Sequence, residues 1–518
     1  MIVLEPDQSE EVSRRVQIWT VLLEEEKPTP FPWLVASPVG WGKSYTALAA
    51  LAALRELLRQ KEHPSADAPV LILCELGAKA QWVQYIKEMG LGVAQEFFTS
   101  SRPEAVQSTA KWWVCHYAAL SRLRPLLLSR DYMALIADEA SRYLTNPKSQ
   151  RYRVAIKVSA LARIALDGTF LLRYPDRLWP ILDMVAPGAW GSLESFSGRP
   201  IQDGSRWVER YGFCKWRQVW IPPKEGSRAG HFEWSVCGSR NLDHLARLLR
   251  PILTSRTRPG TPQAHIRWIG VRLEEEQKRL YHLAREGLME HFSKQGGQWS
   301  ARQIRSALVQ IGTLRSICAM SPAAFLSNKL PEWAPRHTTP AGMGAKQKWL
   351  VEKCLPNVRK GDKLVVFSEW TRATKETTAL LRAEGLRVEH IHGAVSPTTR
   401  RKILDEWNAG LLDALVGSPA MYNSLNLHRA AGKGYYIYTI MLDVPQWYKL
   451  QQRIGRTARH GAEATLICLI LYAIGTKEVE WAAFGWERTQ DFAEVFENGE
   501  PAKLYPASSR EDILRMLQ

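Results

Sequence analysis

The sequence predicts an α/β protein: two tandem parallel-sheet lobes, with an irregular insertion and a helical protrusion between them. Three observations carry that expectation. The chain has 518 residues, and single cores stop growing at roughly 250–300, so more than one domain is needed. Short apolar runs alternate with helical stretches in two separate sets, as expected when parallel strands are linked by helices that cover both sheet faces. Between the two sets the composition changes to Gly, Ser, Pro, Arg and Trp.

The first set comprises "PVLILCEL" (69–76), "YMALIADEA" (132–140) and "ARIALDG" (162–168), with helical stretches such as "TALAALAALRELLRQ" between strands. The second begins at Lys363 with "KLVVFSEW" and continues through "LRVEHIHG", "LLDALVGSP", "GYYIYTIMLD" and "EATLICLILYA". The segment 190–230 reads as an irregular insertion, and 273–292 with 301–320 reads as a helical hairpin. The Pro/Gly-dense "PEWAPRHTTPAGMGAK" (331–346) reads as a linker. These limits give a first lobe at 1–258 with its insertion at 190–240, a protrusion and linker at 259–340, a second lobe at 341–475 and a tail at 476–518.

Charge points to a partner. With 69 Lys+Arg against 52 Asp+Glu, the formal charge of +17 favours a polyanion, of which nucleic acid is the commonest, with an anionic membrane as the rival. The apolar run "ATLICLILYAIG" from Ala464 is shorter than the roughly 20 residues that span a bilayer, and reads as a buried strand. The opening "MIVLEPDQSEE" has no basic, long apolar leader, so the expected location is cytoplasmic (a host's cytoplasm for a viral protein), not secreted. Seven cysteines without a C-x-x-C pair suit reduced thiols and no structural zinc.

Three stretches carry chemistry. "SPVGWGKS" (37–44) has the end of a phosphate-binding loop, although Ser37 stands where the pattern begins with glycine. Gly40, Trp41 and Gly42 offer backbone N–H groups to phosphates, Lys43 reaches the β/γ oxygens, and Ser44 ligates Mg²⁺. A plain Gly-rich turn competes with this reading, but an apolar "PWLVA" before the loop and a helix after it favour the phosphate site. "LIADEAS" supplies Asp138 to hold Mg²⁺ and Glu139 to deprotonate the attacking water. A solvated strand end is the bland alternative, weakened by the upstream lysine. "QQRIGRTARHG" (451–461) sets Gln452, Gly455, Arg456 and Arg459 in the pattern Q-x-x-G-R-x-x-R. Arg456 and Arg459 are three apart and share a helix face, as two arginine fingers require.

On these motifs the chain resembles superfamily-2 helicase-type ATPases, and more narrowly the Swi/Snf-type DNA translocases. The resemblance runs from about residue 4 to residue 475 and implies two RecA-like lobes, ATP and Mg²⁺. "LEPDQ" resembles the family's L-x-P-[aromatic]-Q entry, which implies that Gln8 reads adenine, with Asp7 in the aromatic's place. "IADEASRYLTNPKSQ" resembles D-E-A-H-x-x-K-N-x-x-S, and "TLRSIC" resembles L-R-x-I-C. Asp167, Gly168 and Thr169 occupy the motif that couples hydrolysis to lobe movement, with Asp167 where a hydroxyl residue is usual. Nucleic-acid contacts carry over to Lys79, Gln81, Ser368, Thr371, Arg372, Ser418 and Asn426, and the expected target is phosphate oxygens of double-stranded DNA. "SPAMYNSLNL" (418–427) keeps Ser418 and Asn426 but lacks the family's glycines, so Met421, Tyr422 and Ser424 are expected to restrict the tight backbone conformations of a ligand-facing loop.

The function expected is an ATP-dependent translocase on duplex DNA, acting as a monomer without membrane attachment. A strand-separating DNA or RNA helicase and an ATP-binding clamp that does not cycle are the competing readings.

Overall fold

The computed structural model describes residues 4–25, 30–38, 40–98, 110–171, 174–203, 206–221, 231–256, 264–294, 312–326, 342–418, 421, 427–458, 461–483 and 495. Two compact units emerge: one from Met1–Arg217 and Trp234–Pro259, the other from Gln218–Glu233 and Gly260–Gln490.

In the first unit, the strands β1 (Phe31–Val35), β2 (Val70–Cys74), β3 (Ala94–Phe97), β4 (Trp112–His116), β5 (Asp131–Asp138), β6 (Ser159–Leu166) and β11 (Leu253–Thr254) form one sheet. Their order is β11-β1-β6-β5-β2-β4-β3, and every neighbouring pair is parallel. Alternate residues feed two cores. Leu34, Leu135 and Ala137 pack on one face, and Trp33, Val35, Ala134 and Ile136 on the other. Burial on both faces explains why the strands read as continuous apolar runs. Helix α1 (Pro6–Glu24) starts with proline at its first position and a capping box between Glu5 and Gln8. Helix α2 (Lys43–Gln60) is rich in Ala and Leu, the strongest helix formers, and buries its apolar face.

The insertion is not irregular as expected. It contains an antiparallel pair, β7 (Ile201–Asp203) with β8 (Arg206–Val208), and a two-stranded sheet of β9 (Cys214–Ile221) and β10 (His231–Ser239). Scattered Arg and Trp on exposed two-faced strands hide the alternation that marks a half-buried strand.

In the second unit, β12 (His265–Val271), β13 (Lys363–Phe367), β14 (Val388–Ile391), β15 (Ala414–Gly417), β16 (Tyr436–Met441) and β17 (Thr465–Ala473) form a sheet ordered β12-β17-β16-β13-β15-β14. All neighbours are again parallel. Residues 265–271 were assigned by sequence to the protrusion and linker; instead they pair along their length with β17. Of the helical hairpin, Glu275–Lys294 is a helix; residues 301–311 lie outside the described set. Among the described residues no helix is long and apolar enough to cross a membrane.

Candidate active site

Three neighbouring strands deliver the first unit's chemistry to one sheet edge. The register aligns Val35 of β1 with Leu166 of β6, and Leu166 with Asp138 of β5. The segments leaving these strands therefore start level: "SPVGWGKS" after β1, Asp167 after β6, and Glu139 after β5. Carboxyl ends of parallel strands are where such sheets take ligands.

The loop after β1 turns on two glycines. Gly40 and Gly42 have φ of 90° and 93°, values L side chains rarely adopt, and Gly42 caps α2 in the left-handed conformation without any side-chain cap. An uncapped start of an 18-residue helix leaves backbone donors for an anion, which fits a phosphate. Ser37 shows why the missing first glycine is tolerated. It is fully buried, is not among the positive-φ residues, and its Oγ accepts from the Arg256 N–H at 3.1 Å. Lys43 Nζ donates to the carbonyls of Ser37 at 2.8 Å and Pro38 at 3.2 Å. Ser44 lies in the first turn of α2.

The N-terminus of α1 clamps this loop. The Trp41 indole donates to Asp7 Oδ2 at 2.7 Å, and Gln8 Nε2 donates to the Trp41 carbonyl at 2.6 Å. Gln8 Oε1 accepts from Glu5 N–H at 3.0 Å, and the residue is 3% exposed. Both ends of its amide thus serve the backbone here, whereas an adenine-reading role was expected. Asp7, which replaces the aromatic, finds its use as the partner of Trp41. Trp41 itself is buried, and its N–H closes a turn onto Pro38 O at 3.3 Å.

Asp138 ends β5. Its Oδ2 accepts from the Trp82 indole at 2.9 Å, and its carbonyl accepts from Tyr117 Oη at 2.8 Å. Burial pushes its carboxyl up to about 6, opposed by the Trp82 hydrogen bond and the Lys43 charge and reinforced by the Asp167 carboxylate. A divalent cation held there favours the ionised form. Glu139 has φ 50° and ψ 45°, a conformation that costs a non-glycine residue roughly 1–3 kcal/mol and clusters at functional sites. Asp167 is 1% exposed. Its N–H donates to Val35 O at 3.0 Å, its Oδ2 accepts from Ser141 N–H at 2.9 Å, and its Oδ1 accepts from Thr169 N–H at 2.8 Å and Oγ1 at 3.2 Å. One carboxylate therefore ties the turn after Glu139 to the Gly168–Thr169 loop, one oxygen serving each, while the backbone N–H holds the residue to the β1 end.

In the second unit, the helix Trp447–Thr457 carries Gln452 and Arg456. Arg456 is 9% exposed, and its carbonyl accepts from Leu427 N–H at 2.9 Å. Arg459 and Asn426 lie outside the described residues. Sequence reasoning missed Arg453, three positions before Arg456. It is fully buried and pairs with Glu369 and with Asp443 at 3.9 Å.

The expected nucleic-acid contacts divide. Gln81 and Thr371 are exposed and Arg372 is half-buried. Lys79 corrects its expectation: it is 1% exposed, with Nζ donating to Phe97 O at 2.8 Å and 3.5 Å from Glu96. Burial lowers its pKa. Ser368 and Ser418 are also buried. Ser368 Oγ accepts from Trp370 N–H at 3.1 Å, and Ser418 bonds through its backbone to Ile391 and Met421. Met421 is fully buried in the second unit's core with Val365, Phe367 and Leu415, so its side chain fills space beneath the segment. Truncating such a side chain costs about 2–5 kcal/mol. Tyr422 and Ser424 lie outside the described residues.

The SNF2-related domain model matches residues 20–322, and the helicase conserved C-terminal domain matches 345–461. The chain is 20% identical over 473 residues to the chromatin structure-remodeling complex subunit snf21 of Schizosaccharomyces pombe, across 86% of this chain and 36% of that protein. It is 22% identical over 490 residues to the DNA repair protein rhp54 of the same yeast, across 86% of this chain and 53% of that protein. The chain thus spans between a third and about half the length of these relatives. The helicase domain of Pyrococcus furiosus Hef shares the fold, with a TM-score of 0.51 at 15% identity over 93% of this chain and 99% of that one. Since the first family model alone covers more than half of the 518 residues, the chain belongs to the SNF2-related family of superfamily-2 helicase-type ATPases.

Proposed function

We propose that this protein is an ATP-dependent translocase on double-stranded DNA. The observation that carries the reading is the level edge of β1, β6 and β5, where the glycine loop, Asp167, Asp138 and Glu139 converge. The relatives' names, a chromatin-remodeling subunit and a DNA repair protein, support DNA as the partner. So does the net charge of +17.

In this proposal, Gly40, Gly42 and the start of α2 receive the phosphates of ATP, while Ser44 and Asp138 hold Mg²⁺. The ion, when bound, neutralises phosphate charge and polarises the γ-phosphoryl group. Lys43 exchanges its two carbonyl partners for phosphate oxygens. Glu139 takes the proton of the attacking water. Gln452, Arg456 and Arg459 supply the second lobe's share, with both arginines stabilising the charge that develops on the transferred group. Gln81, Thr371, Arg372 and Asn426 contact the DNA backbone; the buried Lys79, Ser368 and Ser418 are left out. The domain limits at 258/259 and 475/476, with β12 counted in the second lobe, and a monomeric state belong to the same proposal.

The test is ATP hydrolysis measured without nucleic acid and with single strands, blunt duplex or RNA. Blunt duplex is expected to stimulate turnover most. Stimulation by single strands or RNA alone contradicts the duplex assignment.

A further inference from the structure

Glu369 lies between two parts of the second unit to which the proposed function gives separate tasks. It follows the last residue of β13 by two positions, within "FSEWTR", whose Thr371 and Arg372 begin the helix Thr371–Ala383 proposed to meet DNA. Its side chain turns toward the other part. Oε2 accepts from Lys449 Nζ at 3.0 Å, and Oε1 accepts from Arg453 Nη2. Both cations belong to the helix Trp447–Thr457, which also carries Arg456.

The backbone around Glu369 is fixed to the same group of residues. Its N–H donates to Asp443 Oδ1 at 2.8 Å, and the other Asp443 oxygen lies 3.9 Å from Arg453 Nη1. Arg453 and Asp443 are fully buried, and the Arg453 guanidinium lies 5.9 Å from the centroid of the Phe367 ring. Buried ion pairs add little net stability relative to apolar packing, because desolvating two charges offsets their attraction. Directional bonds do fix geometry. Three successive contacts, backbone to Asp443, carboxylate to Lys449 and carboxylate to Arg453, leave the segment 368–372 little freedom to shift without carrying the helix of Arg456 with it.

We propose that Glu369 is a positioning residue that transmits DNA contact at Thr371–Arg372 to the arginine-bearing helix, so that Arg456 is set for catalysis when duplex is bound. This inference rests on the proposed function. It adds a named residue through which the stimulation passes, one that touches neither ATP nor DNA.

The experiment compares wild type with Glu369→Gln, which keeps the shape and loses the charge, and with Lys449→Met, which removes one of the two cations. Basal turnover, duplex-stimulated turnover, duplex affinity and melting temperature are measured on each full chain. Glu369→Gln is expected to lower the stimulated rate about tenfold, within the usual span of coupling between sites, with basal turnover, duplex affinity and melting temperature close to wild type. Lys449→Met is expected to give a smaller loss, and the double variant to match Glu369→Gln alone, because both changes break one connection. Full stimulation in Glu369→Gln overturns the inference, as does an equal loss of basal and stimulated rates with a lowered melting temperature, which marks a merely structural role. A wild type that no nucleic acid stimulates overturns the proposed function itself and this inference with it.

Discussion

Replacing Lys43 with alanine is expected to lower ATP turnover by about 10²–10³-fold, the usual cost of removing one preorganised group from developing charge. Duplex binding should persist, since the residues proposed to meet DNA lie elsewhere in the chain. The fold should persist too. Lys43 donates to the carbonyls of Ser37 and Pro38 in its own loop, and the loop remains pinned without it, by Trp41 to Asp7 and Gln8 and by Ser37 to Arg256. Turnover and duplex affinity measured on the same preparation check this. Wild-type turnover in the variant removes the loop from the catalytic site.

Glu139→Gln is expected to cost about 10²–10⁴-fold in turnover, the range for loss of a general base, with ATP still retained. Glutamine keeps the shape and meets the same left-handed backbone at φ 50°, so the strain is unchanged and the effect isolates the lost proton acceptor. Equilibrium nucleotide binding beside a single-turnover assay distinguishes the cases. Tight binding without hydrolysis supports the assignment, and normal hydrolysis contradicts it.

The parts of this protein legible in the sequence are those built from consecutive residues. Apolar runs announced both sheets because their central strands are covered on two faces, and G-W-G-K-S and D-E announced the first lobe's site because the turn after a strand is a local property. What escaped is long-range pairing. Trp41 meets Asp7 across 34 positions, Trp82 meets Asp138 across 56, and Arg453 meets Glu369 across 84. No periodicity encodes these, although Asp7 at an aromatic's place was a visible departure without a visible partner. Lys79 misled for a related reason: the family pattern carried a nucleic-acid contact onto it, yet its stem and ammonium turn inward to Phe97 and Glu96. Strand β12 was hidden because "HIRWIGV" interleaves His, Arg and Gly with its apolar residues, as suits an edge position beside β17.

The central claim is movement along duplex DNA, and the most direct measurement of it is ATP-dependent displacement of a third strand from a triplex, run beside unwinding of a forked duplex. The account predicts triplex displacement that requires ATP, is lost in Lys43→Ala and outpaces strand separation at the fork. Efficient fork unwinding with no triplex displacement would contradict it.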